Sequence, residues 1–335
     1  MPLPAALTDR LTIPAIAAPM TAVSGPGLVT AAAAAGVIGS FPTHNAADER
    51  ELDGWLTEIA AALAELDAAP VAPNLVVHRS NARLAADLAC LLRHRVELVV
   101  TSVGSPAPVV GPLHDIGCLV FADVANLAHA ERALAAGADG LVLLTAGAGG
   151  QTGWANPFAF VRAVRARFDG PIVLAGGITD GVAMAAALTL GADLVHLGTR
   201  FIATPESLAD PAYRSAVVES SMDEVRLSDR VGGIPASLLA SWLDRAGADD
   251  PAATGFAQDR LLRNRTAWSA GHGVGAVTEV TPVAEVVAAL AEEYRTAIGI
   301  PRSTDTPFPI GGNRALGRSP NANSPVPGGF PERSA

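Results

Sequence analysis

Residues 171–199 read PIVLAGGITDGVAMAAALTLGADLVHLGT, and this stretch decides the fold. Two short apolar runs, Pro171–Ala175 and Leu194–Leu197, stand on either side of an Ala-rich segment of helical length, Asp180–Leu190. Neither run alternates strictly between apolar and polar residues, which is typical of parallel strands covered on both faces. The stretch therefore predicts a strand, a helix and a second strand parallel to the first.

The same unit repeats through the preceding part of the chain. The predicted strands are Ile16–Ala18, Val37–Ser40, Ala72–Val77, Leu98–Ser102, Leu119–Asp123, Gly140–Thr145, Pro171–Ala175 and Leu194–Leu197. The predicted helices include Asp48–Leu66, Arg83–Leu92, Asn126–Ala136, Pro157–Arg167 and Asp180–Leu190. Eight strands is the number that closes a TIM barrel, so the predicted fold class is α/β, a (β/α)8 barrel. An open doubly wound sheet is the alternative.

A segment after the eighth predicted strand interrupts this repeat. It contains aromatic residues such as Tyr213 and Trp268 among polar helical patterns, without a clear strand. It predicts a helical cap over the barrel mouth, inserted before the closing helix Pro282–Tyr294. The predicted domains are a barrel formed by 1–204 and 271–300, a cap formed by 205–270, and a disordered tail at 301–335, which is rich in Pro, Gly, Ser and Asn.

The charge of the chain limits its partners. The 335 residues carry a formal net charge of -10, which offers no positive field to a polyanion, so nucleic acid is not an expected partner. The sequence has no uninterrupted apolar stretch of membrane-spanning length and no basic cluster before an apolar stretch at its amino terminus. We therefore expect a cytoplasmic protein with no membrane partner, and a homodimer remains open.

The basic residues exclude whole classes of chemistry. All 23 of them are arginine, because the sequence contains no lysine. Schiff-base aldolases, pyridoxal-phosphate enzymes and Walker-type nucleotide sites all need a lysine, so none of these fits. No His or Cys pair at metal-ligand spacing is present, so no metal is expected. Arginine is a poor proton shuttle, and we therefore expect a cofactor to carry the reactivity.

A phosphate site is predicted at the ends of the last two strands. Loops after strands seven and eight of TIM barrels commonly bind phosphate. The seventh strand ends in Ala175-Gly176-Gly177, where the lack of bulky side chains lets backbone N–H groups approach an anion. The eighth ends in Gly198-Thr199-Arg200, which offers an amide, a hydroxyl and a guanidinium. The alternative is that these glycines only turn tight loops.

The rest of the barrel rim favours a flavin. Ala18-Pro19-Met20 ends the first strand with small and apolar groups that can back an isoalloxazine ring, and Asn74 in the third strand offers an amide to ring polar atoms. Asp123 at the end of the fifth strand is expected to contact the ring or to cap a helix. Trp154 and Tyr213 are candidates for lining the pocket, although core packing explains an aromatic residue equally well.

Taken in order, these motifs resemble the nitronate monooxygenase family over most of the chain. The motifs are Ala18-Pro19-Met20, Pro73-Asn74, Gly147-Ala148-Gly149-Gly150-Gln151-Thr152-Gly153, Ala175-Gly176-Gly177-Ile178, Leu197-Gly198-Thr199-Arg200-Phe201 and Trp268-Ser269-Ala270-Gly271-His272-Gly273-Val274-Gly275. The resemblance implies FMN as the cofactor. The contacts it implies are Asn74, Gly149, Gly176 and the run His196-Leu197-Gly198-Thr199. Gly150, Ala175 and Gly177, which adjoin these positions, are expected cofactor contacts as well.

One position departs from the family pattern. Members usually carry a histidine after the paired glycines that follow the sixth strand, as the base for the substrate carbon, and this chain has Gln151 there. An amide cannot accept that proton, but it can orient a substrate that arrives already deprotonated. His44 and His78, after the second and third strands, are candidate substitutes, and His272 is a third. A surface or structural role is the competing interpretation for each.

Three functions are compatible with these residues. The first is FMN-dependent oxidation of a nitronate, or of a similarly stabilised carbanion, by O2, with Gln151 orienting this small-molecule substrate. The second is NAD(P)H-dependent reduction of quinones or activated enoyl compounds through a flavin, which needs no carbon base. The third is a flavin-free lyase or isomerase that binds a phosphorylated substrate in the same cradle.

Overall fold

In the computed structural model, which describes residues 3–245 and 255–299, eight parallel strands close a barrel. The barrel strands, in order around it, are β1 (Ala15–Ala17), β2 (Ile38–Pro42), β3 (Val71–Val76), β4 (Leu98–Ser102), β5 (Leu119–Val124), β6 (Gly140–Leu144), β8 (Ile172–Ala175) and β9 (Leu194–Leu197). The ring closes where β9 pairs with β1, with Ile16 opposite His196. The predicted barrel is therefore confirmed, and each predicted strand overlaps an observed one.

Helices connect the barrel strands and surround them. They are α1 (Ala5–Thr8), α2 (Pro26–Ala34), α3 (Glu49–Leu63), α4 (Leu84–Arg93), α5 (Ala107–Asp115), α6 (Leu127–Ala135), α7 (Pro157–Arg165), α8 (Gly181–Leu190), α9 (Thr199–Ile202) and the closing α13 (Val283–Ala297). The side chains of Asp48, Asn126 and Asp180 accept a hydrogen bond from an amide of the first turn of α3, α6 and α8, which explains where these helices begin.

Layers of apolar side chains fill the barrel and the space beneath its helices. Ile16, Phe121 and Val142 lie in the interior and are fully buried. The strands are therefore apolar toward both the interior and the helices, which is why their sequences do not alternate. Cys90 and Cys118 are buried free thiols.

The inserted segment contains a small sheet as well as helices. Its helices are α10 (Pro211–Glu219), α11 (Ala240–Arg245) and α12 (Gln258–Arg263), and short 3-10 turns lie at Thr43–Asn45, Met222–Glu224 and His272–Ala276 of the chain. Strands β10 (Val225–Ser228) and β11 (Ala236–Leu239) pair antiparallel, and β7 (Gly150–Gln151) adds to β11 from the loop after β6. The sequence predicts only helices here, because β7 has two residues and β10 is largely exposed, so neither gives a strand pattern.

Two predictions are limited by what the structure describes. The tail predicted to be disordered, 301–335, lies outside the described residues, and the domain boundaries stay predictions. Within residues 3–245 and 255–299, none of the helices combines the length and the apolar character needed to cross a bilayer.

Candidate functional site

A pocket lies at the carboxyl ends of the barrel strands, and the inserted cap contributes the rest of its wall. From the barrel side it is lined by all of the predicted site residues except His78 and Leu197. From the cap side it is lined by Tyr213, Val231, Gly232, Ile234, Leu261, Asn264, Arg265 and neighbouring small residues. The structure therefore brings together residues that are far apart in the sequence at the end of the barrel where TIM-barrel chemistry occurs.

The two exceptions have other roles in the structure. Leu197 is fully buried in the core, and its carbonyl accepts a hydrogen bond of 2.8 Å from the amide of Ala18. The His78 ring makes a 2.7 Å hydrogen bond between its Nδ1 and Ser80 Oγ, and it packs edge-on against Phe256, with ring centroids 5.2 Å apart. His78 therefore supports the cap and does not reach the pocket.

The paired glycines after β8 form one side of the pocket. Gly176 and Gly177 have φ angles of +135° and +68°, in the region that favours glycine. A Cβ on Gly176 would lie 2.3 Å from Thr145 Oγ1, so packing alone requires a glycine there. A Cβ on Gly177 would meet nothing within 4 Å, so open space lies beside this residue. The two amides donate to no acceptor among the described residues and are available to a ligand.

Gly198 and Thr199 form the adjoining side, after β9. Gly198 has a φ of -104°, and an added Cβ would meet Ala18 and Met20 only at an ordinary 3.6 Å. Within the described part of the chain, neither backbone strain nor crowding therefore requires a glycine at this position. The Gly198 amide also donates to no acceptor among the described residues. The Thr199 hydroxyl accepts a 2.9 Å hydrogen bond from the amide of Gly271, which leaves its own O–H free to donate.

Three side chains expected at or near the pocket do not line it. Arg200 turns away from the cradle, and its Nη1 donates to the Ala276 carbonyl at 2.9 Å. Thr199 and Arg200 are consecutive in a helix, where successive side chains point about 100° apart, so they do not face one anion. Trp154 is 85% exposed on the surface. His272 is exposed as well, and its ring lies against Gly147.

Asn74 and the Ala18-Pro19-Met20 loop form the part of the rim predicted to face a ring. The Asn74 Nδ2 donates to the Val100 carbonyl at 3.2 Å and its Oδ1 accepts from Ser102 Oγ at 3.2 Å, so one N–H remains. The loop is held by Asn45, whose Nδ2 donates to the Met20 carbonyl at 2.9 Å. Both features are thus fixed in position before a ligand binds.

Two titratable groups facing the pocket lack partners among the described residues. Asp123 Oδ1 and His196 Nε2 are both buried atoms that form no hydrogen bond within residues 3–245 and 255–299. Burial raises the pKa of Asp123 to about 7 and lowers the pKa of His196 to about 4. At neutral pH the imidazole is therefore uncharged, and the carboxyl group is near its midpoint of ionisation.

His44 lies beside the same pocket and is 5% exposed. Its Nε2 is 3.0 Å from the Thr21 hydroxyl, and its Nδ1 is buried without a partner in the described part of the chain. Burial, with the nearby charges of Arg265 and Arg83, lowers the pKa of His44 to about 4. Such an imidazole is a weak base, which disfavours its predicted catalytic role as the substitute for a missing histidine.

Gln151 lines the pocket from the cap sheet. It belongs to β7, where it pairs with Ala236 of β11, so the sheet fixes the backbone that carries its amide. The side chain reaches toward Gly232, since a Cβ added there would lie 4.0 Å from Gln151 Nε2. This position suits an amide that orients a bound molecule.

A glycine-rich return segment joins the cradle to the cap. The amide of His272 donates to the Gly147 carbonyl at 3.0 Å, and a Cβ on Gly149 would lie 2.8 Å from the backbone of Ala270 and Gly271. Tyr213, which lines the pocket as expected, both donates to the Ser269 carbonyl and accepts from its amide. The glycines of this motif therefore allow two backbone segments to pack closely at the edge of the pocket.

Sequence reasoning missed several polar residues of the pocket wall, among them Thr21 and Arg265. Thr21 follows the predicted ring-backing loop, and Arg265 follows α12 in the cap. The Arg265 Nη2 donates to the carbonyl of Asn45, 220 positions earlier, at 2.7 Å. The only signal in the sequence is a pair of polar residues, Asn264-Arg265, before Trp268.

Comparisons with known proteins agree with this geometry. A family model described as nitronate monooxygenase matches residues 72–293. A nitronate monooxygenase from Pseudomonas aeruginosa is 30% identical, covering 86% of this chain and 100% of the relative. A (3aS,4S,5R,7aS)-5-hydroxy-7a-methyl-1-oxo-octahydro-1H-indene-4-carboxyl-CoA dehydrogenase from Mycobacterium tuberculosis is 29% identical, covering 77% and 72%. The solved structure of a nitroalkane oxidase from Streptomyces ansochromogenes is 27% identical with a TM-score of 0.74, covering 88% and 99%.

Proposed function

This chain belongs to the nitronate monooxygenase family and is an oxidoreductase, and from that premise we propose that it oxidises a nitronate, or a similarly stabilised carbanion, with FMN and O2. The substrate arrives as an anion, so the pocket has to bind and orient it but need not deprotonate it. The observation that supports this most directly is the cradle of free amides at Gly176, Gly177 and Gly198 beside Gln151 in one pocket.

The pocket residues fit FMN. The amides of Gly177 and Gly198 would bind the phosphate, because no described residue crowds the space beside them: an added Cβ would meet nothing within 4 Å at Gly177, and only Ala18 and Met20 at an ordinary 3.6 Å at Gly198. Thr199 adds a hydroxyl donor. Asn74, Asp123 and His196 would contact the ring, since each has hydrogen-bonding capacity that none of the described residues uses. When bound, FMN would supply the electron-accepting chemistry, which ordinary side chains do not provide.

Gln151 and Asp123 have different tasks in this proposal. Gln151 donates a hydrogen bond to an oxygen of the nitronate and so fixes the orientation of the reacting carbon. Asp123 holds a proton near neutral pH and exchanges it with the bound molecules, because its pKa of about 7 is matched to that task. The weakly basic His44 is not assigned this role.

A second candidate function is NAD(P)H-dependent reduction of a quinone or an activated enoyl compound. The presence of Gln151 favours it, because hydride transfer requires no base at the substrate carbon. The relative from Mycobacterium tuberculosis that is named a dehydrogenase is consistent with it. In this case NAD(P)H takes the place of the nitronate as electron donor.

Anaerobic mixing separates the two candidates. The purified protein is mixed with propyl nitronate and, in parallel, with NADH or NADPH, and the flavin absorbance is followed. Bleaching by propyl nitronate supports the monooxygenase. Bleaching by the pyridine nucleotides alone refutes it and supports the reductase.

A flavin-free lyase or isomerase is a third candidate, and the colour of the protein tests it. We expect yellow protein, or colourless protein that becomes yellow and retains FMN after reconstitution. Colourless protein that does not bind added FMN would exclude both flavin-dependent functions.

A further inference from the structure

We propose that Arg265, Thr21 and His44 form a recognition site for the anionic group of the substrate, and that the pocket therefore selects small aliphatic anions over their neutral isosteres. The anions are carboxylates or nitronates, which share a planar pair of oxygen atoms. This inference rests on the proposed function only in taking the pocket as the substrate site. It assigns the residues that recognise the negative charge of the substrate.

Arg265 is a cation without an acidic partner among residues 3–245 and 255–299. It lines the pocket from the cap and is partly buried, and its Nη2 donates to the Asn45 carbonyl at 2.7 Å. No carboxylate of the described residues lies within ion-pair distance of it, although the chain has 33 acidic and 23 basic residues. A partly buried guanidinium costs desolvation energy that a bound anion would offset.

Its geometry suits an anion with two oxygens. The guanidinium carries five N–H donors in a planar fork that pairs with a carboxylate in bidentate fashion. The bond to Asn45 uses one of them and holds the fork at the junction between cap and barrel. The other N–H groups of the Arg265 guanidinium are therefore held in position and can donate to a bound anion.

Thr21 and His44 together add one uncharged donor on the barrel side of the same wall, because one of their two hydrogens is used in the hydrogen bond between them. Both line the pocket, and the Thr21 hydroxyl lies 3.0 Å from His44 Nε2. When the hydroxyl donates to Nε2, the hydrogen of the neutral ring is on Nδ1, which has no partner among the described residues. A neutral ring here can donate to an anion while Arg265 supplies the charge.

The surrounding wall determines the rest of the substrate. Val231, Ile234 and Leu261 contribute apolar surface from the cap. The acidic residue that lines the described pocket is Asp123, at the end of β5, whereas Thr21 and His44 follow β1 and β2. The site thus combines a positive wall with an apolar one, which matches a short aliphatic chain with one anionic end.

Calorimetric titration of the purified protein with butyrate and with butyramide tests the proposal. The two ligands have the same shape and differ in charge, and their binding requires neither flavin turnover nor nitronate oxidation. We expect the wild type to bind butyrate at least about tenfold more tightly than butyramide, as for one charge-assisted pair. Arg265→Gln should abolish the preference, and Arg265→Lys should retain part of it.

Arg263→Gln is the matched control, because Arg263 lies two residues away on the exposed side and pairs with Asp259 at 2.8 Å. It should keep the full preference. A purely structural role for Arg265 predicts that Arg265→Gln weakens both ligands equally, which would overturn the proposal. Equal binding of the two ligands by the wild type would overturn it as well. Failure to oxidise propyl nitronate, with the charge preference intact, would instead count only against the proposed function.

Discussion

Replacing Asp123 by asparagine should make the flavin-free protein more stable at neutral pH and leave it little changed near pH 4. Asp123 Oδ1 is buried without a partner among the described residues, so ionisation of the carboxyl group is unfavourable in the folded state. Asparagine has nearly the same shape and no charge. The variant therefore removes a destabilising ionisation without creating a cavity.

The sign follows from the raised pKa, which goes from 3.8 to about 7 on folding. Below pH 3.8 the carboxyl is protonated in both folded and unfolded states. Between pH 3.8 and about 7 the unfolded chain releases the proton while the folded protein keeps it, so the wild type loses stability as the pH rises. Each pH unit in this range lowers the free energy of unfolding of the wild type by about 1.4 kcal/mol, so Asp123→Asn can raise it by at most about 4 kcal/mol. Water in the pocket reduces the effect, and we expect about 2–3 kcal/mol.

Urea unfolding of both proteins, measured from pH 4 to pH 8.5 by tryptophan fluorescence, gives this difference. We expect the stability of Asp123→Asn relative to wild type to increase up to about pH 7 and then to remain constant. Asp67→Asn, at an exposed position after α3, controls for the loss of one carboxylate. A difference that does not vary with pH would refute the assignment of a buried, protonated carboxyl group.

Three further substitutions test the cradle, the substrate amide and the barrel packing. Gly198→Ala should change the stability by less than about 0.5 kcal/mol, because its Cβ would meet the described residues only at 3.6 Å, and it should abolish FMN retention, because the Cβ would take up space beside the proposed phosphate site. Gly54→Ala, in an exposed helical position, is the control and should stabilise by about 0.5–1 kcal/mol and retain FMN; urea unfolding and flavin absorbance check both variants. Gln151→His should create or increase O2 consumption with neutral nitroethane, and no change would remove Gln151 from the substrate site. Gly181→Ala should destabilise by about 2–3 kcal/mol in urea, because a Cβ would lie 2.0 Å from the Tyr294 amide nitrogen.

Local sequence patterns predict the barrel because each of its strands and helices is marked by residues within or next to that element. The strands are short runs buried on both faces, and side chains such as Asp180 mark where the following helix begins. The cap is different, since β7 is a strand only because β11 lies next to it. A two-residue strand has no period to detect, so the sequence could not predict the small sheet.

The residues of the candidate site likewise fall into those that local sequence predicts and those that depend on long-range contacts. Residues at strand ends were predictable, because the barrel places those ends around one opening. Arg265 was not, because its place depends on a contact with Asn45, 220 positions away. His78 shows the converse error, since closeness in sequence to Asn74 does not fix where a side chain points once the strand has ended and a turn has begun.

The glycines of the recognised motifs differ in what they indicate about a ligand. Gly176 and Gly149 are required by protein contacts, because a Cβ on either would collide with Thr145 or with the return segment. They would stay glycine in a relative that binds nothing. Gly198 has an ordinary φ, and among the described residues an added Cβ would meet only Ala18 and Met20, at 3.6 Å, so a methyl group there would conflict with a molecule in the pocket and not with these residues. The phosphate proposal therefore depends more on Gly198 than on the paired glycines that first indicate it.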